Sequence, residues 1–582
     1  MEISAVPNAS PSLFLKFSET AEAASGTSKR LEKAALLAAY FSDLADDDLA
    51  RAARYLAGHV FPLRDQRTTN VGGAAMLGAI EDVTGAASET LRANLVRLGD
   101  LGDVAQEVFA ASPSAAQTAV LTLAQVGDML ETLASTSGAK RKREMVTALL
   151  GQATALEAKY LVKLLAGDLR IGLQEGAIED AVARWQGLDV AAVQWANMLT
   201  GDLGETAVLA RQGRLGDVKM RLFHPLKFML ATPAADLDDV ARQMPEAFVV
   251  EDKFDGIRAQ AHIARELPPT PEGAEDIPPA LHGVVVDGVR VALFSRTLDE
   301  ITESFPDLVP PLAALAQGSP LGLILDGEIV PTQGDQILPF QELQKRLGRK
   351  TLSNAMRAEV PVSFVAYDAL FGDERILIND PFAARRSVLE ASVPAMGEVR
   401  RAASVEFRDA ALLDDEFDAA RARGNEGLMV KDPASLYKPG RRGREWLKIK
   451  RALATLDVVV TSVEVGNGGR RHLLSDYTFA VRASETDPAL LNIGKAYSGL
   501  TDAELTELSE WFRAHTIQEF AHGKVRVVEP KIVIEIAFDR VQASARHKSG
   551  YALRFPRILR IRDDKPVTQI DTLETVRKLA GE

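Results

Sequence analysis

The spacing of apolar residues divides the chain into a helical part and a strand-rich part. Up to about residue 215, apolar residues recur every three or four positions, as in KRLEKAALLAAYFSDL and KREMVTALLGQATALEAKYLVKLL. This spacing places them on one face of a helix. After about residue 216, short alternating runs replace that pattern, and alternation is typical of half-buried strands. The pattern predicts an all-α N-terminal domain followed by strand-containing domains.

The strand-rich part divides again near residue 450. Between 216 and 450, strand-like runs alternate with a few helical ones, and HPLKFMLATP (residues 224–233) is predicted as an extended opening strand. After residue 451, about five short alternating runs and one helical interlude suit a small antiparallel barrel of the OB type. We therefore predict a multidomain chain with boundaries at 1–215, 216–450 and 451–582.

Two turn signals lie in the middle region. The segment FVVEDKFDGIRAQAHI (residues 248–263) is predicted as strand, sharp turn at Asp255-Gly256 and strand, with Lys253 at the bend. The segment VVVDGVRVALFSR (residues 284–296) has Asp287-Gly288 between two β-branched runs, which predicts a hairpin. The Pro-rich, acidic stretch between these segments (residues 265–283) is predicted as a surface loop without an assigned function.

Length and composition narrow the classes of protein and site. A chain of 582 residues is too long for one core. It has no cysteine, which excludes disulfides, thiolate zinc sites and cysteine nucleophiles. No apolar run approaches membrane-spanning length and the N-terminus lacks a basic region before its apolar patch, so a cytoplasmic location is expected, with no membrane contact.

The charge is uneven along a chain whose formal net charge is −13. That net value argues against a surface coated uniformly for a polyanion. However, residues 431–451 contain eight Lys or Arg against two acids, and residues 540–565 again contain eight against two. A basic run is usually a solvated face, but two runs in an acidic chain favour a phosphate-binding surface.

Several short motifs follow one another in a fixed order after GDLRIGL (residues 167–173), a segment that follows an amphipathic helix. Each alone has an ordinary explanation, such as a surface acid, a core tyrosine or a solvated lysine. The occurrence of all of them in one chain and in this order is far beyond chance. They are Lys253-Phe254-Asp255-Gly256, Ser295-Arg296-Thr297, Leu325-Asp326-Gly327-Glu328, Val365-Ala366-Tyr367-Asp368, Asn425-Glu426-Gly427 to Lys431, Trp446 to Lys450, and Arg554-Phe555-Pro556-Arg557.

The run of motifs resembles that of ATP-dependent DNA ligases over nearly the entire chain. The Lys-x-Asp-Gly pattern is shared with RNA ligases and mRNA capping enzymes. The resemblance implies a helical DNA-binding domain, an α+β nucleotidyltransferase core (ATP-grasp-like) and an all-β OB-fold domain. One small departure is Phe254, where a Tyr is common. The implied reaction seals nicks between a 3′-hydroxyl and a 5′-phosphate in duplex DNA.

The resemblance also implies roles for individual residues. Lys253 would be the nucleophile that carries AMP, Glu251 would accept a hydrogen bond from the adenine amine, and Tyr367 would stack on the base. ATP and Mg²⁺ are the implied cofactors. Further ATP contacts would be Arg258, Arg296, Glu328, Lys431, Arg442, Lys448 and Lys450; metal ligands Glu328 and Glu426; DNA or pyrophosphate contacts Arg170, Arg557, Arg560, Arg562 and Lys565.

The chemistry of lysine fits a nucleophile with cationic neighbours. At pH 7 an unperturbed lysine, with a pKa of about 10.4, is neutral in roughly one molecule in 2,500, a handicap of about 4.6 kcal/mol. Nearby cations, for which Lys431, Lys448 and Lys450 are candidates, favour the neutral amine. Glu328 and Glu426 supply the hard oxygen ligands that suit Mg²⁺.

Two rival functions fit these residues less well. An RNA ligase or capping enzyme is disfavoured by the long helical domain and by the basic Arg-Phe-Pro-Arg segment, while Glu251 favours adenine over guanine. A non-catalytic DNA clamp on the same scaffold would be expected to lack Lys253 or the metal acids, which are present. We expect a monomer acting on nicked double-stranded DNA; the pathway, in replication, repair or recombination, and any sliding clamp or repair partner are left open.

Overall fold

The computed structural model describes residues 12–266, 282–318, 322–334, 336–347, 352–372, 375–449, 454–467, 470–521 and 523–581. These residues form two compact units. The first is built from Glu22–Thr68 and Ile171–Arg451, and the second from Leu13–Ala21, Thr69–Arg170 and Ala452–Glu582, each in its described parts. Most of the Pro-rich stretch, residues 267–281, lies outside the described residues.

The predicted helical region is confirmed. Its helices are closed by local signals: Thr122 and Thr154 form capping boxes at N-termini, and Gly85, Gly99 and Gly187 end helices in the left-handed conformation. The helices are α1 Phe14–Ser25, α2 Arg30–Ser42, α3 Asp46–Leu56, α4 Gly73–Thr84, α5 Ser88–Leu98, α6 Leu101–Ala111, α7 Leu123–Ser135, α8 Ala139–Leu150, α9 Ala155–Leu165, α10 Glu175–Gln186, α11 Val190–Thr200 and α12 Leu203–Arg211.

Helices α2, α3 and α10 to α12 belong to the first unit, together with the strands of the middle region. Polar contacts join this helical part to segments that flank those strands. Arg221 pairs with Glu205 of α12 at 2.8 Å, and His282 Nε2 lies 2.5 Å from the backbone oxygen of Arg64. The predicted boundary at residues 215 and 216 therefore falls inside one compact unit, and it stays a prediction.

The middle region alternates strands with short helices, as the pattern predicts. Its strands are β1 Leu230–Pro233, β2 Phe248–Lys253, β3 Ile257–Arg265, β4 Val284–Val286, β5 Val289–Ser295, β6 Leu323–Gln333, β7 Gln336–Ile337, β8 Val362–Gly372, β9 Arg375–Ile376, β10 Val399–Arg401, β11 Ser404–Phe407, β12 Gly427–Lys431 and β13 Arg442–Ile449. Its helices are α13 Leu237–Gln243, α14 Val309–Ala314, α15 Phe340–Gln344, α16 Asn354–Glu359, α17 Phe382–Ser392 and α18 Leu413–Ala422.

These strands form two sheets in the described residues. One has the order β1-β13-β12-β2-β11, and the other runs β10-β8-β6-β3-β5-β4, with β7 on β6 and β9 on β8. In the first sheet, Phe248 and Val250 pack with Leu428 and Leu447 in one apolar cluster. Because side chains alternate along a strand, the residues between them point to the opposite face.

The predicted strand, turn and strand at residues 248–263 is confirmed, but β2 and β3 do not pair. They belong to different sheets, so the turn at Asp255-Gly256 carries the chain from one sheet to the other. Gly256 permits this crossing, since a Cβ there would lie 2.2 Å from the backbone oxygen of Ile329 on β6. The crossing leaves Lys253 at the end of β2, beside the gap between the two sheets.

The predicted opening strand is largely wrong. Of residues 224–233, only Leu230–Pro233 forms a strand, which pairs in parallel with β13. Side chains occupy the backbone groups that a longer strand would need for pairing. The Leu226 amide donates to Gln260 Oε1 at 2.8 Å, and the Met229 amide donates to the Tyr437 hydroxyl at 3.1 Å. The hairpin at Asp287-Gly288 is confirmed, with positive φ at both residues.

The second unit contains α4 to α9 and a β-rich C-terminal region, as predicted. The strands of that region are β14 Ala454–Val465, β15 Leu474–Arg482, β16 Leu490–Ala496, β17 Thr516–Phe520, β18 Val525–Val528, β19 Val533–Phe538, β20 Arg540–Ala543, β21 Tyr551–Arg554 and β22 Arg557–Ile561, with helices α19 Asp502–Ala514 and α20 Leu573–Ala580. The sheet order is β16-β15-β14-β18-β17, with β19 joining β14 to β22 and a separate β20-β21 pair. The boundary at residues 450 and 451 stays a prediction.

Within the part of the chain that the structure describes, no helix combines the length and apolar character that crossing a bilayer requires.

One buried ion pair is predicted to control the stability of the first unit. Arg385 and Asp368 are both fully buried and joined by two hydrogen bonds of 2.8 Å. Arg385→Met leaves a buried carboxylate unpaired, which costs about 3–5 kcal/mol. The matched control is Arg375→Met, whose pair with Asp380 is exposed at the arginine and is worth under about 1 kcal/mol. Calorimetric melting of both variants checks this, and equal melting temperatures would contradict it.

Candidate active site

A pocket opens between the two sheets of the first unit. Its wall contains the predicted nucleophile and most of the residues that the sequence assigned to ATP. The lining residues are Leu230, Ala231, Glu251, Asp252, Lys253, Phe254, Arg258, Arg296, Glu328, Tyr367, Met429, Lys431, Arg442, Trp446 and Lys448. Residues as distant in the sequence as Leu230 and Lys448 thus meet in one cavity.

Strand alternation explains how the first sheet contributes its share. Glu251 and Lys253 occupy alternate positions of β2, opposite Met429 and Gly427 of β12. Lys448 of β13 in turn lies opposite Met429. Since side chains at alternate and directly paired positions share a face, this sheet presents one charged face to the pocket.

Lys253 is held by a carboxylate. Its Nζ lies 2.5 Å from Glu426 Oε2, and the side chains of the two residues are only 20% and 13% exposed. The Glu426 amide also donates to the Lys253 backbone oxygen at 2.8 Å. The nucleophile and a predicted metal ligand therefore form one local unit at the end of β2.

Arg258 is fixed by a network that the motifs did not predict. Its guanidinium donates twice to Asp326, at 2.7 and 3.1 Å, and once to the Met229 backbone oxygen at 2.7 Å. The Tyr437 hydroxyl donates to the same carboxylate at 2.8 Å. Asp326 is fully buried, so it needs these partners. The pairs lock Arg258 in the pocket wall.

Glu328 lies next to Arg258 across the β3–β6 ladder. Burial is the main cause that raises its pKa to about 8; the charges of Lys253 and Arg258 oppose the rise, and those of Asp326 and Glu426 add to it. Because this carboxyl group is buried near two other acids, a bound cation would favour its ionised form. Among the described residues no group of three or more His, Cys, Asp or Glu could hold a metal alone. Two carboxylates fit Mg²⁺, which usually keeps waters and phosphate oxygens as its other ligands.

Tyr367 lies at an irregularity between β6 and β8. Asp326 and Gly327 of β6 pair with Asp368 and Ala366, so Tyr367 is the extra residue of a bulge. The Arg258 guanidinium lies 5.8 Å from the centroid of its ring, and the Lys431 ammonium lies 5.0 Å from it. The bulge re-aims the tyrosine into the pocket, where a flat base could stack on it.

Lys431, a predicted cation near Lys253, is paired with a carboxylate. Its Nζ lies 2.6 Å from Glu251 Oε2, and both side chains are almost fully buried. The rings of Trp446 and Phe382 lie 4.4 and 4.6 Å from the same ammonium. Its positive charge is therefore matched by Glu251, because a cation buried among rings needs a carboxylate partner.

The other predicted ATP contacts of the middle region differ in solvent exposure. Arg296 and Arg442 are exposed and Lys448 is half-buried, and all three line the pocket. Three cations at the rim suit the phosphates of a nucleotide whose base lies deeper. Lys450 lies outside the described residues.

In the second unit, the predicted basic residues of the barrel are arranged around acids. Asp457 accepts from Arg562 at 2.8 and 2.9 Å and from Lys565 at 2.5 Å. Arg562 also pairs with Asp564. Arg560 pairs with Glu535 at 2.7 Å, whereas Arg557 is exposed. The basic run is therefore partly neutralised within its own unit.

Arg170 is likewise engaged within the second unit. Its φ of 53° lies in the left-handed region, and its Nη1 donates to the Gly99 backbone oxygen at 2.9 Å. The same nitrogen lies 3.3 Å from Asp100 Oδ2, with the arginine side chain 40% exposed. This placement fixes the backbone of the GDLRIGL turn and leaves part of the guanidinium at the surface.

Sequence reasoning missed three residues that organise the pocket: Asp326, Tyr437 and Arg386. Asp326 belongs to the same motif as Glu328, but nothing in that motif indicates that Asp326 pairs with Arg258. Tyr437 and Arg386 lie outside the motifs. A tyrosine in a loop and an arginine four residues before Glu390 on a helix carry no signal that distinguishes them from ordinary surface residues.

Family models match most of the chain. The model described as DNA ligase N terminus matches residues 13–183, the ATP dependent DNA ligase domain matches 283–450, and the ATP dependent DNA ligase C terminal region matches 470–565. A solved structure named Pmar-Lig_PreS3 is 17% identical and has a TM-score of 0.60, covering 94% of this chain and 99% of that chain. This last likeness concerns the fold.

Curated relatives extend the match over the full length. A probable DNA ligase of Koribacter versatilis is 46% identical, with 96% of this chain and 95% of the relative covered. A DNA ligase of Archaeoglobus fulgidus is 35% identical, with 97% and 98% covered. Such identity over nearly both whole chains, with the lysine and carboxylates gathered in one pocket, shows that the chain belongs to the ATP-dependent DNA ligase family.

Proposed function

We propose that this protein seals 3′-hydroxyl/5′-phosphate nicks in duplex DNA, with Lys253 as the residue that carries AMP. Nick sealing through an adenylate intermediate is the general mechanism of the family, which uses ATP and a divalent metal, usually Mg²⁺. The observation that carries the assignment is the position of Lys253, in one pocket with Glu251, Arg258, Glu328 and Tyr367.

The first step joins AMP to the enzyme. The Lys253 ammonium leaves its pair with Glu426 and loses a proton to solvent, and the neutral amine attacks the α-phosphorus of ATP. A phosphorus–nitrogen bond forms, and the bond to the bridging oxygen breaks with its electron pair on the departing pyrophosphate. Tyr367 stacks on the adenine, Glu251 accepts from its amine, and the exposed Arg296 and Arg442 contact ribose or phosphate.

The later steps use the same phosphorus chemistry. The 5′-phosphate at the nick attacks the lysyl-AMP and releases the amine, and the 3′-hydroxyl then attacks the adenylated 5′-phosphate and releases AMP. Glu328 and Glu426 would hold the metal, which when bound supplies positive charge to the phosphate oxygens. Lys448, with Lys431 and Lys450 by resemblance, belongs to the nucleotide-binding set.

The DNA-facing parts of the proposal rest on resemblance and charge. Arg170 in the helical region, and Arg557, Arg560, Arg562 and Lys565 in the barrel, would contact DNA or pyrophosphate. A monomeric, cytoplasmic enzyme that meets sliding clamp or repair proteins completes the proposal. The helical region would supply affinity through phosphate contacts, whose strength falls as the salt concentration rises.

Lys253→Ala is expected to abolish labelling of the chain by ATP that is radioactive at the α-phosphate, and with it the sealing of ordinary nicks. Sealing of a nick that already carries 5′-AMP should persist in part, since that step no longer needs the lysine bond. Lys345→Ala, a change at a surface lysine paired with Glu342, is the matched control and should behave as wild type. Sealing of unmodified nicks by the Lys253 variant at the wild-type rate would sink the assignment.

Glu426→Gln is expected to impair both the labelling step and the sealing of a pre-adenylated nick, by about 100-fold or more, because carboxylate ligands are needed in each phosphoryl transfer. The Mg²⁺ concentration for half-maximal sealing should also rise. Glu416→Gln, which changes a half-exposed partner of Arg423, is the control and should leave both steps intact. A Glu426 variant defective only in labelling would remove it from the metal site.

A further inference from the structure

Arg386, which belongs to none of the sequence motifs, contacts Glu251, the residue predicted to recognise the base. It lies on α17, and its side chain is only 12% exposed. Nη1 lies 3.4 Å from Glu251 Oε1, Nη2 donates to the Ala402 backbone oxygen at 2.7 Å, and Nε donates to Glu390 at 2.8 Å. One guanidinium therefore joins a helix, the segment before β11 and the wall of the pocket.

The two oxygens of Glu251 have different cations. Lys431 lies 2.6 Å from Oε2, and Arg386 lies on the Oε1 side. Lys431 also donates to the Tyr367 backbone oxygen at 3.3 Å and sits among aromatic rings, so its position is fixed. The longer distance from Arg386 leaves Oε1 the less strongly engaged oxygen, with lone pairs available for a nucleotide base.

The backbone around Glu251 is fixed by the same residues. Glu251 pairs with Ser404 of β11, two positions after the Ala402 oxygen that Arg386 holds. The neighbouring Arg385 anchors the helix by its buried pair with Asp368. Arg386 is thus delivered by a rigid helix to a carboxylate on a rigid strand, as a positioning group requires.

We propose that Arg386 determines the purine selectivity of the pocket by holding Glu251 as a correctly oriented carboxylate. The proposal rests on the proposed function, in which Glu251 accepts a hydrogen bond from the adenine amine. Adenine presents a donor at position 6 and guanine presents an acceptor there. An ionised Glu251 can only accept, so it pairs with adenine and repels guanine, whereas a protonated Glu251 could donate to guanine.

The charges around Glu251 support this assignment. Burial raises the pKa of Glu251, while Lys431 and Arg386 lower it, and Asp368 raises it. The groups that face the carboxylate are thus Lys431 from β12, Arg386 from α17 and Asp368 from β8. Removing Arg386 takes away one of two opposing cations, which favours the protonated form and frees the carboxyl group to rotate.

Arg386→Gln is therefore expected to raise the KM for ATP in self-adenylylation about tenfold and to narrow the ATP-over-GTP preference in kcat/KM by a similar factor. Sealing of a pre-adenylated nick, which uses no free nucleotide, should stay at the wild-type rate. Arg386→Lys keeps the positive charge and should keep most of the preference. Arg401→Gln is the matched control, since Arg401 binds the nearby Val393 backbone oxygen without reaching Glu251.

A second background separates positioning from simple structural support. In Glu251→Gln protein there is no carboxylate to hold, so adding Arg386→Gln should not change the purine preference further. Equal preferences in the Arg386→Gln and Arg401→Gln proteins would overturn the proposal. So would a loss that extends equally to pre-adenylated nicks and lowers the melting temperature. Failure of the wild type to take label from ATP would instead contradict the proposed function itself.

Discussion

Pairing of buried charges is the constraint on which the nucleotide pocket depends. Asp326 and Asp368 are fully buried, and each is met by two hydrogen bonds from an arginine. Ionised carboxylates cannot stay charged in a dry interior without such partners. The partners come from other elements, so satisfying the carboxylates also fixes the strands and helix that carry them.

That constraint links the pocket to the fold. Arg258 reaches Asp326 across the β3–β6 ladder and holds the Met229 backbone, which belongs to the segment before β1. β1 lies in the other sheet, at the side of β13. The pairs that neutralise charge therefore also tie the two sheets together, and the gap between them is where Lys253 emerges. Stability and site geometry share the same contacts.

The basic residues of the second unit are also paired with acids, although they are more exposed. Asp457 pairs with both Arg562 and Lys565, and Glu535 pairs with Arg560. In a chain with a formal net charge of −13, local acids reduce the charge that a phosphate would meet. A polyanion must compete with these acids for the Arg and Lys side chains. Its affinity for the second unit therefore depends on breaking these ion pairs as well as on the number of cations.

The sequence by itself determined the local features. Apolar periodicity gave the helical region and the β-rich regions, because burial on one face requires those spacings. The Asp287-Gly288 hairpin followed from two residues that tolerate positive φ, the Asp255-Gly256 pair indicated the turn after Lys253, and the ordered motifs supplied most of the residues that line the pocket. The tertiary structure decided the features that depend on distant partners. It placed β2 and β3 in different sheets and left residues 224–229 outside any strand. It also paired Lys431 with Glu251 and brought Arg386 to the same carboxylate. No local pattern encodes these outcomes, since each is settled by which buried charge or backbone group a residue from elsewhere in the chain satisfies.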